Sequence, residues 1–171
     1  MGSEDIYVKG ANAIDPAREV GVLYAGEAAG TIGRVIRASR RKGFPILLPV
    51  GLEKLVLTPI QKAAQYASRT RMDVAMGLPV GVIPVPGKAV TEVEAIDILS
   101  GAEAVTVAAG GLEGAEGSVT LVIRGSEGRV KKAFGIIKDI KGATLPKLHP
   151  TDCDSCPYTT CHLNKDFTGK H

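Results

Sequence analysis

Cys153, Cys156 and Cys161 crowd into one short stretch near the C-terminal end of the sequence, and the rest of the chain has no cysteine. A Cys-x2-Cys turn can place two sulfurs on one ion, and a third thiolate shortly after can close over it. Thiolates are soft ligands that suit zinc and iron–sulfur clusters. The three histidines, His149, His162 and His171, lie in the same stretch. His149 and His162 flank the thiols and are candidates for a fourth position, with His171 a further one. Cys156-Pro157 echoes the Cys-Pro step of ferredoxin runs, although the full four-cysteine run is absent. The expected cofactor is an iron–sulfur cluster or zinc, with iron–sulfur slightly favoured. Such an odd-numbered cluster, in a sequence opening Met-Gly-Ser-Glu-Asp with no basic and apolar leader, reads as metal ligands or reactive thiols in a cytoplasmic protein.

A second chemical feature is the glycine turn Gly26-x-x-x-Gly30-Thr31-x-Gly33, which leads from an apolar strand into a helix. Such a turn exposes backbone N–H groups at the positive end of the helix dipole, where an anion is stabilised. Gly30 and Gly33 would let the backbone approach it, and the Thr31 hydroxyl would donate to it. The spacing is neither a Walker A loop nor a dinucleotide-binding fingerprint. Equally, the turn can be a tight strand-to-helix connection with Thr31 as an ordinary N-cap. A third stretch, 110–117, is rich in glycine and carries Glu113 and Glu116. It reads as a long hairpin loop with solvated acids, or as a place for a carboxylate acting as general base or cation ligand.

The elements that must position these groups follow from periodicity and punctuation. Strands are expected at 5–8, 20–25, 45–50, 80–85, 104–109 and 118–124. Helices are expected from the glycine turn to Lys42 with Gly43 as C-cap, and from Thr58-Pro59 to about Thr70. A third should run from the Thr91–Glu94 capping box to Leu99, and a fourth from Ser126 to about Ile140. Val130, Ala133, Phe134, Ile137 and Ile140 form the expected buried stripe of that last helix. Alternating strands and helices point to a three-layer α/β fold around a largely parallel sheet, with an antiparallel pair near the C-terminus. The α/β domain is expected over 1–145 and an irregular metal-binding tail over 146–171.

Composition narrows the function further. The chain has 171 residues and 44% hydrophobic residues, enough for a proper core. Aromatics make up only 4% with no Trp, and the formal charge is +3. Both argue against nucleic-acid recognition, which wants stacking platforms and a strong basic field. Arg34, Arg37, Arg40, Arg41 and Lys42 on the first helix therefore read as a solvated face. The apolar runs are too short to cross a bilayer.

The segment Asp5-Ile-Tyr-Val-Lys-Gly-Ala-Asn-Ala-Ile-Asp15, followed by Gly30-Thr-Ile-Gly33 and Phe44-Pro-Ile-Leu-Leu-Pro-Val with Gly51-Leu-Glu53-Lys54, resembles part of a known superfamily. It is similar to the strand, Gly-Ala-Asp-x-Ile turn and Gly-Thr pattern of the ribose-5-phosphate isomerase, glucosamine-6-phosphate deaminase and CoA-transferase-like group. The chain also resembles uncharacterised archaeal and anaerobe proteins, which bring no function with them. The superfamily resemblance implies a pocket for a phosphorylated or CoA-linked small molecule near 9–15, 26–33 and 51–54. Lys9, Asn12, Gly30, Thr31, Gly33 and Lys54 would then contact the ligand, with Asp15 and Glu53 as candidate catalytic carboxylates beside Glu116 of the second glycine stretch. Asn12 replaces the working Asp of the superfamily, and an amide is neither acid nor base at neutral pH. Asp15 could serve only from a different place. Three functions remain open: a metal-binding, redox-linked protein; a small-molecule enzyme or sensor with a structural zinc tail; and a module that docks on a protein partner or assembles as a homo-oligomer.

Overall fold

A computed structural model describes residues 1–144 together with Asp152, Ser155, Cys156 and Cys161. Eight strands and four α-helices follow one another along it: β1 (Tyr7–Val8), β2 (Ala13–Ile14), β3 (Val20–Tyr24), α1 (Gly30–Lys42), β4 (Ile46–Pro49), α2 (Ile60–Tyr66), β5 (Gly81–Pro84), β6 (Lys88–Val90), α3 (Glu92–Ser100), β7 (Glu103–Ala109), β8 (Val119–Arg124) and α4 (Glu127–Ile140).

The protein is mixed α/β. The expected parallel arrangement is realised in one three-stranded sheet, ordered β1-β4-β6, and the antiparallel pair near the C-terminus is β7–β8. Interleaved with the parallel strands in sequence, β2, β3 and β5 form a separate antiparallel sheet with β3 central. For β2 and β3 the reason lies in connection length. β2 and β3 are joined by a short hairpin, which permits only antiparallel pairing, whereas parallel neighbours need a long crossover. β2 and β6 escape sequence reading because two or three residues show no period.

One core joins the two three-stranded sheets under α1. Ile14, Val22, Ile32, Ile36, Leu48 and Val85 are all buried in it. Gly21 of β3 has a structural reason to be glycine: a Cβ there would meet Val82 Cγ1 at 3.1 Å and Ile60 Cδ1 at 3.3 Å, so α2 could not lie as close to the sheet. A second, smaller core forms where α3 and α4 cover one face of β7–β8, around Ile96, Ala102, Ala104 and Ala133.

α2 starts differently from expectation. Pro59 occupies its cap position and no local side chain caps it. Asp15 does so from 45 residues away, its Oδ2 accepting the Ile60 N–H at 2.9 Å. The other oxygen, Oδ1, accepts from Glu19 N, also at 2.9 Å. The helix also stops early, at Tyr66. Just beyond it, the Ser68 hydroxyl accepts from the amides of Thr70 and Arg71, a local turn that competes with the helix.

The buried stripe expected on α4 is only partly buried. Ala133 is 1% exposed, but Phe134 is 67% and Ile140 62% exposed. Two strands are too narrow to cover two helices, so the flank of the stripe faces outward. The two kinds of site should respond oppositely to truncation. Asp15→Ala, which strands two backbone donors, is expected to cost about 3 kcal/mol. Phe134→Ala should cost less than about 1 kcal/mol. Urea unfolding of the two variants checks both.

Candidate functional site

A cavity of about 660 Å³ lies between α1, the start of β3, α2 and the end of β5. Arg18, Arg37 and Arg40 line it, together with Glu19, Gln61 and Gly33. Its floor is apolar, made by Val20, Ile36 and Val85, all under 7% exposed. Arg37 and Arg40 are three residues apart and therefore share one face of α1. Among the described residues neither forms an ion pair.

Arg18 comes from the β2–β3 hairpin. Its amide donates to Asp15 O at 2.9 Å, closing a β-turn with Pro16 in the second place. Arg18 itself has φ +66°, the left-handed region. Such hairpins normally put Gly or Asn there, because a side chain costs about 1–2 kcal/mol in that conformation. The Arg18 side chain reaches α3: Nη1 pairs with Glu94 Oε1 at 2.9 Å, and Nη2 donates to Ala89 O at 3.4 Å.

Glu94 is also the capping-box residue of α3. Its Oε2 accepts from both the amide and the hydroxyl of Thr91, at 2.9 and 2.6 Å. Partial burial pushes the carboxyl pKa upward. The hydrogen bonds from Thr91 and the Arg18 guanidinium outweigh that effect and bring it from 4.5 down to about 2. A carboxyl whose pKa falls on folding contributes stability above its unfolded pKa and loses it as pH drops through the folded one.

The glycine turn is strained rather than open. Ala28, Ala29 and Gly30 take left-handed φ in succession, at 50°, 62° and 55°. The helix cap is Ala29, so Thr31 falls in the first turn, where its Oγ1 accepts weakly from Arg34 at 3.5 Å. Gly33 is required because a Cβ would strike the Ala28 carbonyl oxygen. Ala28 and Gly33 line the cavity, whereas Gly30 and Thr31 do not. Two of the left-handed non-glycine residues, Arg18 and Ala28, thus border the same cleft, and strain of this kind concentrates at functional sites.

The remaining predicted residues are dispersed. Lys9 continues the β1–β4 ladder through its amide, which donates to Leu47 O. Asn12 is tied into the β2–β3 pair: its amide donates to Gly21 O, and its Oδ1 accepts from Leu23 N at 3.0 Å. Asp15 is 2% exposed, with both carboxylate oxygens engaged by backbone. Glu53 and Lys54 form a surface pair at 3.7 Å. Glu116 accepts from Gly114 N inside the β7–β8 loop. The carboxyl edge of β4 and β6, where α/β proteins usually bind ligands, holds a shallower 320 Å³ depression. Its one acid, Glu92, is occupied by Leu52 N.

Of the expected metal ligands, His149, Cys153 and His162 lie outside the described residues. Cys156 and Cys161 are half-buried free thiols. Among the described residues no three His, Cys, Asp or Glu side chains come together as a metal site, and no helix is long and apolar enough to cross a membrane. Comparison with protein-family models, curated proteins and solved structures finds no match to this chain.

Sequence reading missed Arg18, Arg37, Arg40, Gln61 and Glu94 as a group. The i, i+3 spacing of Arg37 and Arg40 is the one local signal, and it fits a solvated face equally well. Two outcomes follow. The melting-temperature gap between the wild type and Glu94→Gln is expected to be full at pH 6 and to narrow between pH 4.5 and about 2. Arg18→Gly should leave unfolding stability within about 1 kcal/mol of wild type, since relief of the left-handed strain offsets the lost ion pair and the flexibility of glycine. A loss above about 2 kcal/mol would mean that Arg18 serves mainly the fold.

Proposed function

We propose that this α/β protein binds a phosphorylated or CoA-linked small molecule in the arginine cleft. The observation that carries the reading is the convergence of Arg18, Arg37 and Arg40 on a 660 Å³ cavity with an apolar floor. Guanidinium groups bind phosphate through paired N–H donors, and among the described residues Arg37 and Arg40 form no ion pair, with Glu19 the one acid against three arginines in the lining. The cavity lies in the size range of small-molecule sites. It exceeds what a bare phosphate needs, and the Val20, Ile36 and Val85 floor suits an organic body. The lining offers one carboxylate, Glu19, and no side-chain nucleophile beside it, so the reading is binding, not a named reaction.

A ligand that binds the native state alone raises its melting temperature. Coenzyme A or ribose 5-phosphate is expected to stabilise the wild type in a thermal-shift titration. Arg37→Ala/Arg40→Ala should weaken that binding by roughly tenfold or more. Equal stabilisation of the wild type and the double variant would remove the cleft from consideration.

A second reading concerns the tail, on which Cys153, Cys156 and Cys161 would hold an iron–sulfur cluster or zinc, with His149 or His162 completing the set. It is supported by the Cys/His spacing and by the free thiols of Cys156 and Cys161. Elemental analysis and a visible spectrum of anaerobically purified protein are expected to give about one metal centre per chain, or one per dimer if it is shared. Iron with sulfide and a brown absorbance would make it a cluster, and colourless zinc a structural site. Metal-free protein with three titrating thiols would dismiss the reading.

A further inference from the structure

We infer that Glu94 is a positioning residue for the anion site, holding the Arg18 guanidinium at the cleft; the inference rests on the cleft being where the ligand binds. A capping box alone does not require glutamate, since Gln serves the same place. What only a carboxylate supplies here is two acceptor oxygens with separate tasks. Oε2 takes both Thr91 donors, at 2.9 and 2.6 Å, which anchors the group to the first turn of α3. Oε1 is thereby left for Arg18 Nη1, at 2.9 Å.

Arg18 needs such a hold for three reasons. It projects from a hairpin position that favours a residue with no side chain. It is a long chain with many rotamers, 46% exposed. It also shares its cleft with Arg37 and Arg40, whose like charges push it away. Glu94 and the Ala89 carbonyl tie down Nη1 and Nη2 from α3 and β6. Nε and the outward N–H bonds remain for a ligand. A guanidinium fixed before binding loses less freedom when the anion arrives, which strengthens affinity without a new contact. The same carboxylate therefore links the start of α3 to the ligand site.

The experiment titrates the full chain with inorganic pyrophosphate by calorimetry at pH 7. It compares wild type, Glu94→Gln, Thr91→Val, Arg18→Gly and Arg37→Ala/Arg40→Ala. A glutamine has one acceptor oxygen and can serve Thr91 or Arg18, not both. Thr91→Val weakens the cap but leaves the Arg18 pair, and so controls for general destabilisation of α3. The expected result is affinity roughly threefold to tenfold weaker in Glu94→Gln, and a smaller loss in Thr91→Val, which keeps the Thr91 amide bond and the Glu94–Arg18 pair. The Arg18 Nε–H signal, identified by its loss in Arg18→Gly, should exchange faster with solvent in Glu94→Gln even without pyrophosphate.

Wild-type or tighter affinity in Glu94→Gln, with binding weakened in the Arg37/Arg40 variant, would overturn the positioning role while leaving the cleft as the site. Tighter binding in particular would make Glu94 a competitor for Arg18. If Glu94→Gln does not fold, wild-type affinity in Arg18→Gly overturns the inference on its own. Failure of the wild type to bind, or full binding by the Arg37/Arg40 variant, would overturn both the cleft and the inference.

Discussion

The carboxylate of Asp15 accepts the amides of Glu19 and Ile60 from two segments that nothing local brings together. One bond shapes the β2–β3 hairpin, and the other caps the first turn of α2, so a single buried anion satisfies donors that the interior could not otherwise leave unpaired. The geometry downstream depends on it. With the hairpin closed, Arg18 is forced into the left-handed region and projects toward α3. With α2 anchored against β3, Ile60 packs over Gly21 and Gln61 reaches the cleft. The apolar core and the polar site therefore share one hinge point. Asp15, which the superfamily resemblance offers as an acid or base, has both oxygens committed to this architecture.

The cleft combines features that a purely structural surface has little reason to collect. It has an apolar floor, two arginines of α1 without carboxylate partners among the described residues, and a third arginine held by Glu94 in a position that disfavours any side chain. Ala28 adds a second strained residue at the rim, made possible by the missing Cβ of Gly33. Stability is spent on each of these choices, as expected where a site rather than a core sets the requirement. The carboxyl edge of the parallel sheet follows the usual location rule for ligands but carries an occupied acid. Cationic chemistry lies instead beside the antiparallel sheet. This separation arises because the hairpin, not a crossover, delivers Arg18.

Much of the local structure was readable in the residues themselves. Gly43 and Gly101 end α1 and α3 in left-handed caps, Thr91 and Glu94 form the expected capping box, and Ser126 stands at the N-cap position of α4 without a side-chain capping bond. Each depends on interactions within one helical turn, which sequence spacing records directly. Errors fall where a partner is distant. The cap of α2 comes from Asp15, β6 exists because β4 offers it a ladder, and Phe134 and Ile140 stay exposed because β7–β8 is only two strands wide. Of the predicted ligand contacts, Gly33 alone borders the cleft.

By itself the sequence determined the α/β class, the antiparallel pair near the C-terminus, most helix ends and the concentration of cysteine and histidine in the tail. All of these follow from short-range chemistry: period, caps, turn residues and ligand spacing. Only the tertiary structure decided that two of the arginines on α1 face a cavity, that Arg18 joins them from a hairpin, and that Glu94 serves α3 and Arg18 at once. Those relations span 71 residues between Arg18 and Ala89. A charge records its own solvation preference in the sequence, but its partner is set by how the chain packs.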